Sequence, residues 1–423
     1  MKKRIHPADI ADILRNLPSD KRKPFFDSLD SEVGARVLRQ LDPISELDLL
    51  KKLDSSVISE ILDEMPSDDA ADIVAGLSKE KASQVLKLMT KEDSARIQNL
   101  LKYDSETAGG IMTTDFVALD AEINAEQAIY LLRQRVKPGP IHYVYVVDNE
   151  QRLLGVLMLK KLLVSEPGIR LKDIMNEGIV SVKPSLDQEE VARLVSKYDL
   201  LAIPVVDEQN HLIGVVTVDD VIDVLKEEAT EDIFKLGGTD DEELSKKSIF
   251  NVSRVRLPWL IVTLFEGIIC ATLIRFFQFT LERTIALAFF IPVIMGMGGN
   301  IGIQSSTIVV RGLATGRINL SQIGNVLFRE IRVGLIMGLV CGSVVALIAY
   351  SLEKALLLGV VVGISMFIAI VVAATMGSLI PLIFKRLKVD PAIASGPFIT
   401  SSNDIVGILI YFSLANLLFR IAG

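Results

Sequence analysis

Asp404 sits in the stretch TSSNDIVGILIYF, residues 400–412, and apolar sequence resumes directly behind it. Thr400, Ser401, Ser402, Asn403 and Asp404 form a polar belt, preceded by DPAIASGPF and followed by Gly407. A buried ionised carboxylate is expensive, so acids within a membrane usually face a water-filled path and bind or relay something. One carboxylate among hydroxyls and amides, with no basic residue nearby, suits a cation. The structural alternative is an aspartate that caps a helix break near Pro397. A second polar interruption, IPVIMGMGGNIGIQSS, interleaves Gly296, Gly298, Gly299 and Gly302 with Asn300 and Gln304. Small residues let backbones approach or break a helix to expose carbonyls, and amides at depth want partners or water. Helix packing alone accounts for that segment equally well.

These residues need a membrane around them, and the composition supplies one. The mean hydropathy is +0.42, with 50% hydrophobic residues over 423 positions, well above a soluble protein's need. The charge divides sharply: the first 256 residues carry net −13 and the remainder +5. Crossing roughly 30 Å of hydrocarbon takes about 20 apolar residues in helix. Five stretches qualify, at about 258–281, 285–310, 333–352, 355–384 and 392–419, the third and fourth separated only by LEKA. Cations concentrate on one side of these spans: Lys246, Lys247, Arg254 and Arg256 before the first; Arg311, Arg317, Arg329 and Arg332 between the second and third; Lys385, Arg386 and Lys388 between the fourth and fifth. Against them stand Arg275, Arg283, Lys354 and Arg420. The excess marks the cytosolic side, so the N-terminus is expected in the cytosol and the C-terminus outside. MKKRIHPADIADIL lacks the apolar core of a signal peptide, which agrees. Cys270 and Cys341 both lie in apolar stretches, with no disulfide framework or CxxC site.

The acidic half is built from repeats. Residues 111–132 align without gaps onto 174–195, and YVVDNEQRLLGVLMLKKLL matches PVVDEQNHLIGVVTVDDVI, the first copy being longer around KPGP. Each copy reads as helix, strand, turn, strand and helix start, a tandem α/β unit. It resembles a pair of CBS domains, the likeness carried by the two IM positions and by VVD…LLGV and VVD…LIGV. CBS pairs generally sense nucleotides or ions and regulate an attached protein; a nucleotide here is an expectation with no residue assigned. Before it, about 6–103, apolar residues recur at helical spacing, and ADILRNLPSDK at 11–21 returns as ADIVAGLSKEK at 71–81, which suggests a small superhelical stack.

Acids cluster as Asp68, Asp69 and Asp72, as Asp187, Glu189 and Glu190, and throughout residues 218–234. On a helix, Asp220, Asp223, Glu227 and Glu231 share one face, where like charges repel. A solvated acidic surface is the ordinary reading of any one of them. Hard oxygen ligands without His or Cys are what Mg²⁺ and Ca²⁺ prefer. The chain has three histidines, all before residue 212, so a transition-metal path has little support.

Together, ETAGGIMT, EEATEDIFKLGG, MGMGGNIGIQSS and DPAIASGPFITSSNDIVG resemble the MgtE magnesium channels over nearly the whole chain. The expected fold is a multidomain membrane protein. It has an acidic all-α superhelical N-domain (1–105), an α/β tandem CBS pair (106–173 and 174–226), a connecting plug helix (227–256) and an all-α five-helix transmembrane domain (257–423). The resemblance implies a homodimer in the cell membrane, with Mg²⁺ as substrate and regulatory ligand. It makes Asp404 the pore site, one from each subunit, holding Mg²⁺ largely through its waters, with Asn403, Thr400, Asn300 and Gln304 as pore-lining candidates. It implies a cytosolic gate at Asp68 and Asp72, at Asp187, Glu189 and Asp199, and at Asp220, Asp223, Glu228 and Glu231, closed by Mg²⁺ when cytosolic Mg²⁺ is high. A transporter of Co²⁺, Mn²⁺ or a different solute, regulated through the CBS pair, is the alternative. A Mg²⁺-using membrane enzyme is a third class, for which the sequence offers no nucleophile and base pair, P-loop or HExxH. The net charge of −13 disfavours nucleic acid as a partner.

Overall fold

The computed structural model describes residues 5–135, 142–240, 249–394 and 396–422. The chain divides into two units, one up to Lys226 and one from Glu227 onward. The KPGP insertion and the cations Lys246 and Lys247 lie outside the described residues.

The first unit begins with eight short helices: α1 (Pro7–Asn16), α2 (Ser19–Phe26), α3 (Ser31–Leu38), α4 (Pro43–Lys52), α5 (Ser55–Leu62), α6 (Ser67–Gly76), α7 (Lys79–Leu88) and α8 (Lys91–Leu100). Helices of 8–10 residues are too short to persist alone, so each depends on its neighbours. They stack in alternation, α1 on α3, α3 on α5 and α5 on α7, with α2 on α4 and α6 on α8. The repeated motif has a structural counterpart. Ala11 and Leu14 of α1 are buried, and so are Ala71 and Val74 of α6. Ser78 and Thr90 cap α7 and α8, accepting from the backbone amides of Lys81 and Asp93.

The CBS pair follows. In the first copy β1 (Ala118–Asp120) runs parallel to β2 (Tyr143–Val147), which pairs antiparallel with β3 (Leu153–Met158). In the second copy β4 (Ala202–Val206) pairs antiparallel with β5 (Leu212–Thr217), and a parallel bridge from Val182 to Val205 stands where β1 meets β2. Their helices are α9 (Ala125–Arg135), α10 (Leu159–Val164), α11 (Leu171–Ile174), α12 (Gln188–Tyr198) and α13 (Val218–Leu236). The copies exchange their leading segments. Thr113 pairs with Val215 through two backbone hydrogen bonds of 2.8 and 2.9 Å, and Asn176 pairs with Val156 through two of 2.9 and 3.0 Å. This exchange explains the recurring sequence signals. Met112 lies on Gly214 and Met175 on Gly155, so a Cβ on either glycine would collide with the methionine sulfur. The core of the helical stack is continuous with that of the second copy.

The second unit holds the five helices among the described residues that are long and apolar enough to cross a membrane. They are the first span (Ile249–Phe276), second (Leu287–Ala314), third (Ile323–Glu353), fourth (Leu356–Arg386) and fifth (Gly396–Ala422). The first starts about nine residues before the hydropathy boundary and the third about ten. Hydropathy marks where side chains avoid water, whereas backbone hydrogen bonding carries a helix on past Arg254 and Arg256, or through Arg329 and Arg332. LEKA is a tight turn, with Lys354 at φ 52° closing the third span. The third and fourth spans pack through small residues: a Cβ on Gly342 would lie 2.7 Å from the Gly363 carbonyl oxygen. The expected connecting helix, 227–256, corresponds to the later part of α13, which ends at Leu236, and to the opening of the first span from Ile249; residues 241–248 lie outside the described residues.

Candidate functional site

The fifth span begins at Gly396 and runs unbroken to Ala422. Pro397 falls in its first turn, where the missing N–H has no intrahelical partner to lose. Asp404 therefore lies in the third turn of a continuous helix and caps no break. Its Oδ1 is enclosed and has no hydrogen-bond partner. Among the described residues, the charged side chain that acts most on Asp404 is another acid, Glu266 of the first span.

Asn403 is 3% exposed, and both polar atoms of its amide are enclosed without a partner. It fits into the row of glycines on the second span: its Cβ is 3.8 Å from a Cβ placed on Gly298, and its amide would collide with one on Gly302. Thr400 packs one turn earlier against Gly299, at 3.0 Å from a built Cβ, and donates to the Gly396 carbonyl. The glycines thus have a packing role, as the sequence allowed. Gly302 is also pressed by the fourth span, since its carbonyl oxygen blocks a Cβ at Gly377. Gly302→Val is expected to destabilise this unit by about 1–3 kcal/mol through overpacking, read as a lower thermal midpoint in detergent. Asn300 and Gln304, one turn apart on the same helix, are exposed on this chain.

A contrast shows what a satisfied acid looks like at such a position. Glu330 of the third span is 4% exposed. It accepts from the Ser305 hydroxyl at 2.9 Å and pairs with Arg329 at 3.0 Å. Its charge is fully partnered, so it ties the second and third spans together. Asp404 has no such partners.

In the first unit, two helix N-termini bring acids face to face. Asp68 and Asp69 open α6, while Asp219 and Asp220 open α13. The start of α6 is tied to the segment before β1: the Ser67 amide donates to Asp115 at 2.9 Å, and its hydroxyl lies 2.9 Å from that of Thr114. Arg39, just past α3, reaches between the acids, 2.6 Å from Asp69 and 3.6 Å from Asp219. One guanidinium cannot neutralise four carboxylates. Burial, then the adjacent Asp69 carboxylate, pushes Asp68 up to about 7. Burial, then Asp68, does the same to Asp220, up to about 7. Asp69 is likewise raised to about 7 by burial, against the pull of Arg39. Glu46 is raised to about 7 by burial and then by Asp72.

These shifts fix a pH dependence. A carboxyl near 7 when folded and about 3.9 when unfolded favours the folded state while protonated. That stability is fully present below about 4 and is lost as pH rises through about 7. In solution without divalent cations, protease resistance of the first unit should fall as pH rises from about 5 to 8. Constant or rising resistance would contradict the burial of this cluster.

The remaining gate candidates are dispersed. Asp72 is exposed. Asp187 caps the start of α12, accepting from the Glu189 amide at 2.9 Å, while Asp199 ends the same helix at φ 51°. An eleven-residue helix separates them by about 17 Å, so one ion cannot bind both within one chain. Glu189 is half-buried near Asp187. Asp223 is exposed and pairs with Lys226 at 2.7 Å. Glu228 is half-buried, and Glu231 pairs with Lys235, which also reaches Asp390 at 2.5 Å. Among the described residues, no three His, Cys, Asp or Glu side chains of one chain are arranged to hold a metal ion. Sequence reasoning missed Arg39, Asp219, Glu46 and Glu266. Only Glu266 carried a visible signal, an isolated acid in an apolar span.

Comparison with known proteins is consistent with this architecture. The MgtE family model, described as a divalent cation transporter, matches residues 291–414; the MgtE intracellular N domain matches residues 5–106, and the CBS domain matches 108–166 and 171–227. The magnesium transporter MgtE of Enterococcus faecalis is 43% identical over 325 residues, 77% of this chain and 72% of that protein. Its Thermus thermophilus counterpart is 40% identical over 327 residues, with the same shares. The crystal structure of the cytosolic domain of the Mg²⁺ channel MgtE in complex with ATP is 37% identical, with a TM-score of 0.50, covering 52% of this chain and 91% of that one.

Proposed function

Since this chain belongs to the MgtE family of divalent cation transporters, we propose that it carries Mg²⁺ across the cell membrane past Asp404, under control of its cytosolic acids. The observation that carries the reading is the Asp404 carboxylate, set in an unbroken apolar helix with an enclosed oxygen that nothing among the described residues satisfies. Mg²⁺ sheds water reluctantly and is usually held by one or two carboxylates through a retained water shell. One acid per chain beside hydroxyls and amides suits such a hydrated ion.

Control follows from the acids at the starts of α6 and α13. When Mg²⁺ binds there, it takes over the neutralising role that protons and Arg39 share in its absence, and the closed form is populated because the ion favours it. When Mg²⁺ falls, repulsion returns and the path opens. The loop cations support a cytosolic N-terminus and an extracytosolic C-terminus. A homodimer is supported by the exposed amides of Asn300 and Gln304 at membrane depth, and by a first span in which Cys270 is the buried residue. These faces need cover from water or protein. A nucleotide at the CBS pair is supported by the related cytosolic domain solved with ATP.

Purified protein in liposomes loaded with an Mg²⁺-sensitive dye tests the substrate class. Mg²⁺ should enter down its gradient with no co-substrate consumed. An absence of Mg²⁺ movement, alongside movement of an anion or organic solute, would contradict the reading.

A further inference from the structure

We infer that Glu266 of the first span is a second carboxylate of the cation path, setting with Asp404 the affinity and the divalent preference of transport. The inference rests on the reading of Asp404 as the transport site. Glu266 lies in the interior of a 28-residue helix whose long-helix neighbour is the fifth span. Its orientation is fixed locally: Cys270, one turn on, donates its thiol to Glu266 Oε1 at 3.0 Å. Cys270 is also the residue of that helix buried in the unit, so the pair marks the face turned to the fifth span. The Glu266 charge acts on Asp404, and the Asp404 charge acts on Cys270.

Two facing acids in apolar surroundings repel strongly unless something positive joins them. Among the described residues neither Glu266 nor Asp404 forms an ion pair, unlike Glu330 with its Arg329. Two further features show unused binding capacity beside Asp404. Its own Oδ1 is enclosed and unpartnered, and the adjacent Asn403 amide, 3% exposed, has neither polar atom satisfied. A hydrated divalent cation meets these demands, since its charge matches two carboxylates and its waters can donate to both. A lone carboxylate would balance a monovalent ion equally well. The pair therefore gives a reason for divalent preference that Asp404 alone does not.

The test uses the full-length protein in proteoliposomes, comparing wild type, Glu266→Gln, Glu266→Asp and Asp404→Asn, each checked for a monodisperse elution profile. Initial Mg²⁺ flux is measured against external Mg²⁺, and K⁺ flux in the same vesicles. Glu266→Gln should raise half-saturating Mg²⁺ on the order of tenfold, the scale of deleting one charge partner, and raise K⁺ flux relative to Mg²⁺. Glu266→Asp, which keeps the charge, should restore most of both. Wild-type half-saturation and ion preference in Glu266→Gln, with Asp404→Asn silent, would overturn the role of Glu266 and leave Asp404 standing. Equal loss of maximal flux in both Glu266 variants, with half-saturation unmoved, would make Glu266 a packing residue. Normal flux in Asp404→Asn would overturn the underlying reading itself.

Discussion

Asp404→Ala is expected to leave a folded protein that no longer supports Mg²⁺ uptake. In cells that depend on this chain for Mg²⁺, growth at low external Mg²⁺ should fail, and cell-associated Mg²⁺ should fall to the level of the empty vector. The loss should be roughly a hundredfold or more in transport, the scale of deleting a desolvated charge partner worth about 3 kcal/mol. The fold should survive because, among the described residues, Asp404 has no hydrogen-bond partner at its enclosed Oδ1 and no ion pair. Removing an unpartnered charge from an apolar helix relieves a cost and breaks no structural link. The opposite holds for Glu330, whose bonds to Ser305 and Arg329 join two spans. Wild-type growth with Asp404→Ala would place the cation elsewhere.

The second large effect concerns the acids at the starts of α6 and α13. With Asp68→Asn and Asp220→Asn combined, transport should continue at cytosolic Mg²⁺ levels that silence the wild type. The half-inhibiting concentration should rise at least about tenfold, because a ligand shifts a two-state equilibrium only by its differential affinity for the two states. These two are chosen on their geometry. They open facing helices, and the Asp68 carboxylate raises the proton affinity of Asp220, so neutralising both removes charge that binds the ion, and with it the ion's preference for the closed form. Asp223 and Glu231 already pair with Lys226 and Lys235, so their neutralisation should have smaller effects. Unchanged inhibition in the double variant would remove this cluster from the control mechanism.

Much of this architecture can be read from sequence because it is local or repeated. The five spans follow from apolar length, and the CBS pairing follows from the repeat: Val146 faces Gly155 in one copy as Val205 faces Gly214 in the other. Asp404 stands out because a carboxylate in an apolar run has no local explanation. The span ends do not stand out, since a helix continues wherever its backbone bonds do. Arg39 is equally silent in sequence: a basic residue following α3 looks like any surface cation until the fold carries it to Asp69 and Asp219. Asp187 and Asp199 show the reverse, because their nearness in sequence hides their position at opposite ends of α12. Glu266 was visible as an isolated acid, but its significance depends on the first span lying against the fifth.

The most direct test of the central claim, that Asp404 carries the transported cation, is Mg²⁺ flux into dye-loaded proteoliposomes for the wild type and Asp404→Ala, with Mg²⁺ on the cytosolic face varied. Flux that requires Asp404 and declines as cytosolic Mg²⁺ rises is the predicted result. Flux that is indifferent to the substitution would contradict it, and would make Asp404 a residue of the helix alone.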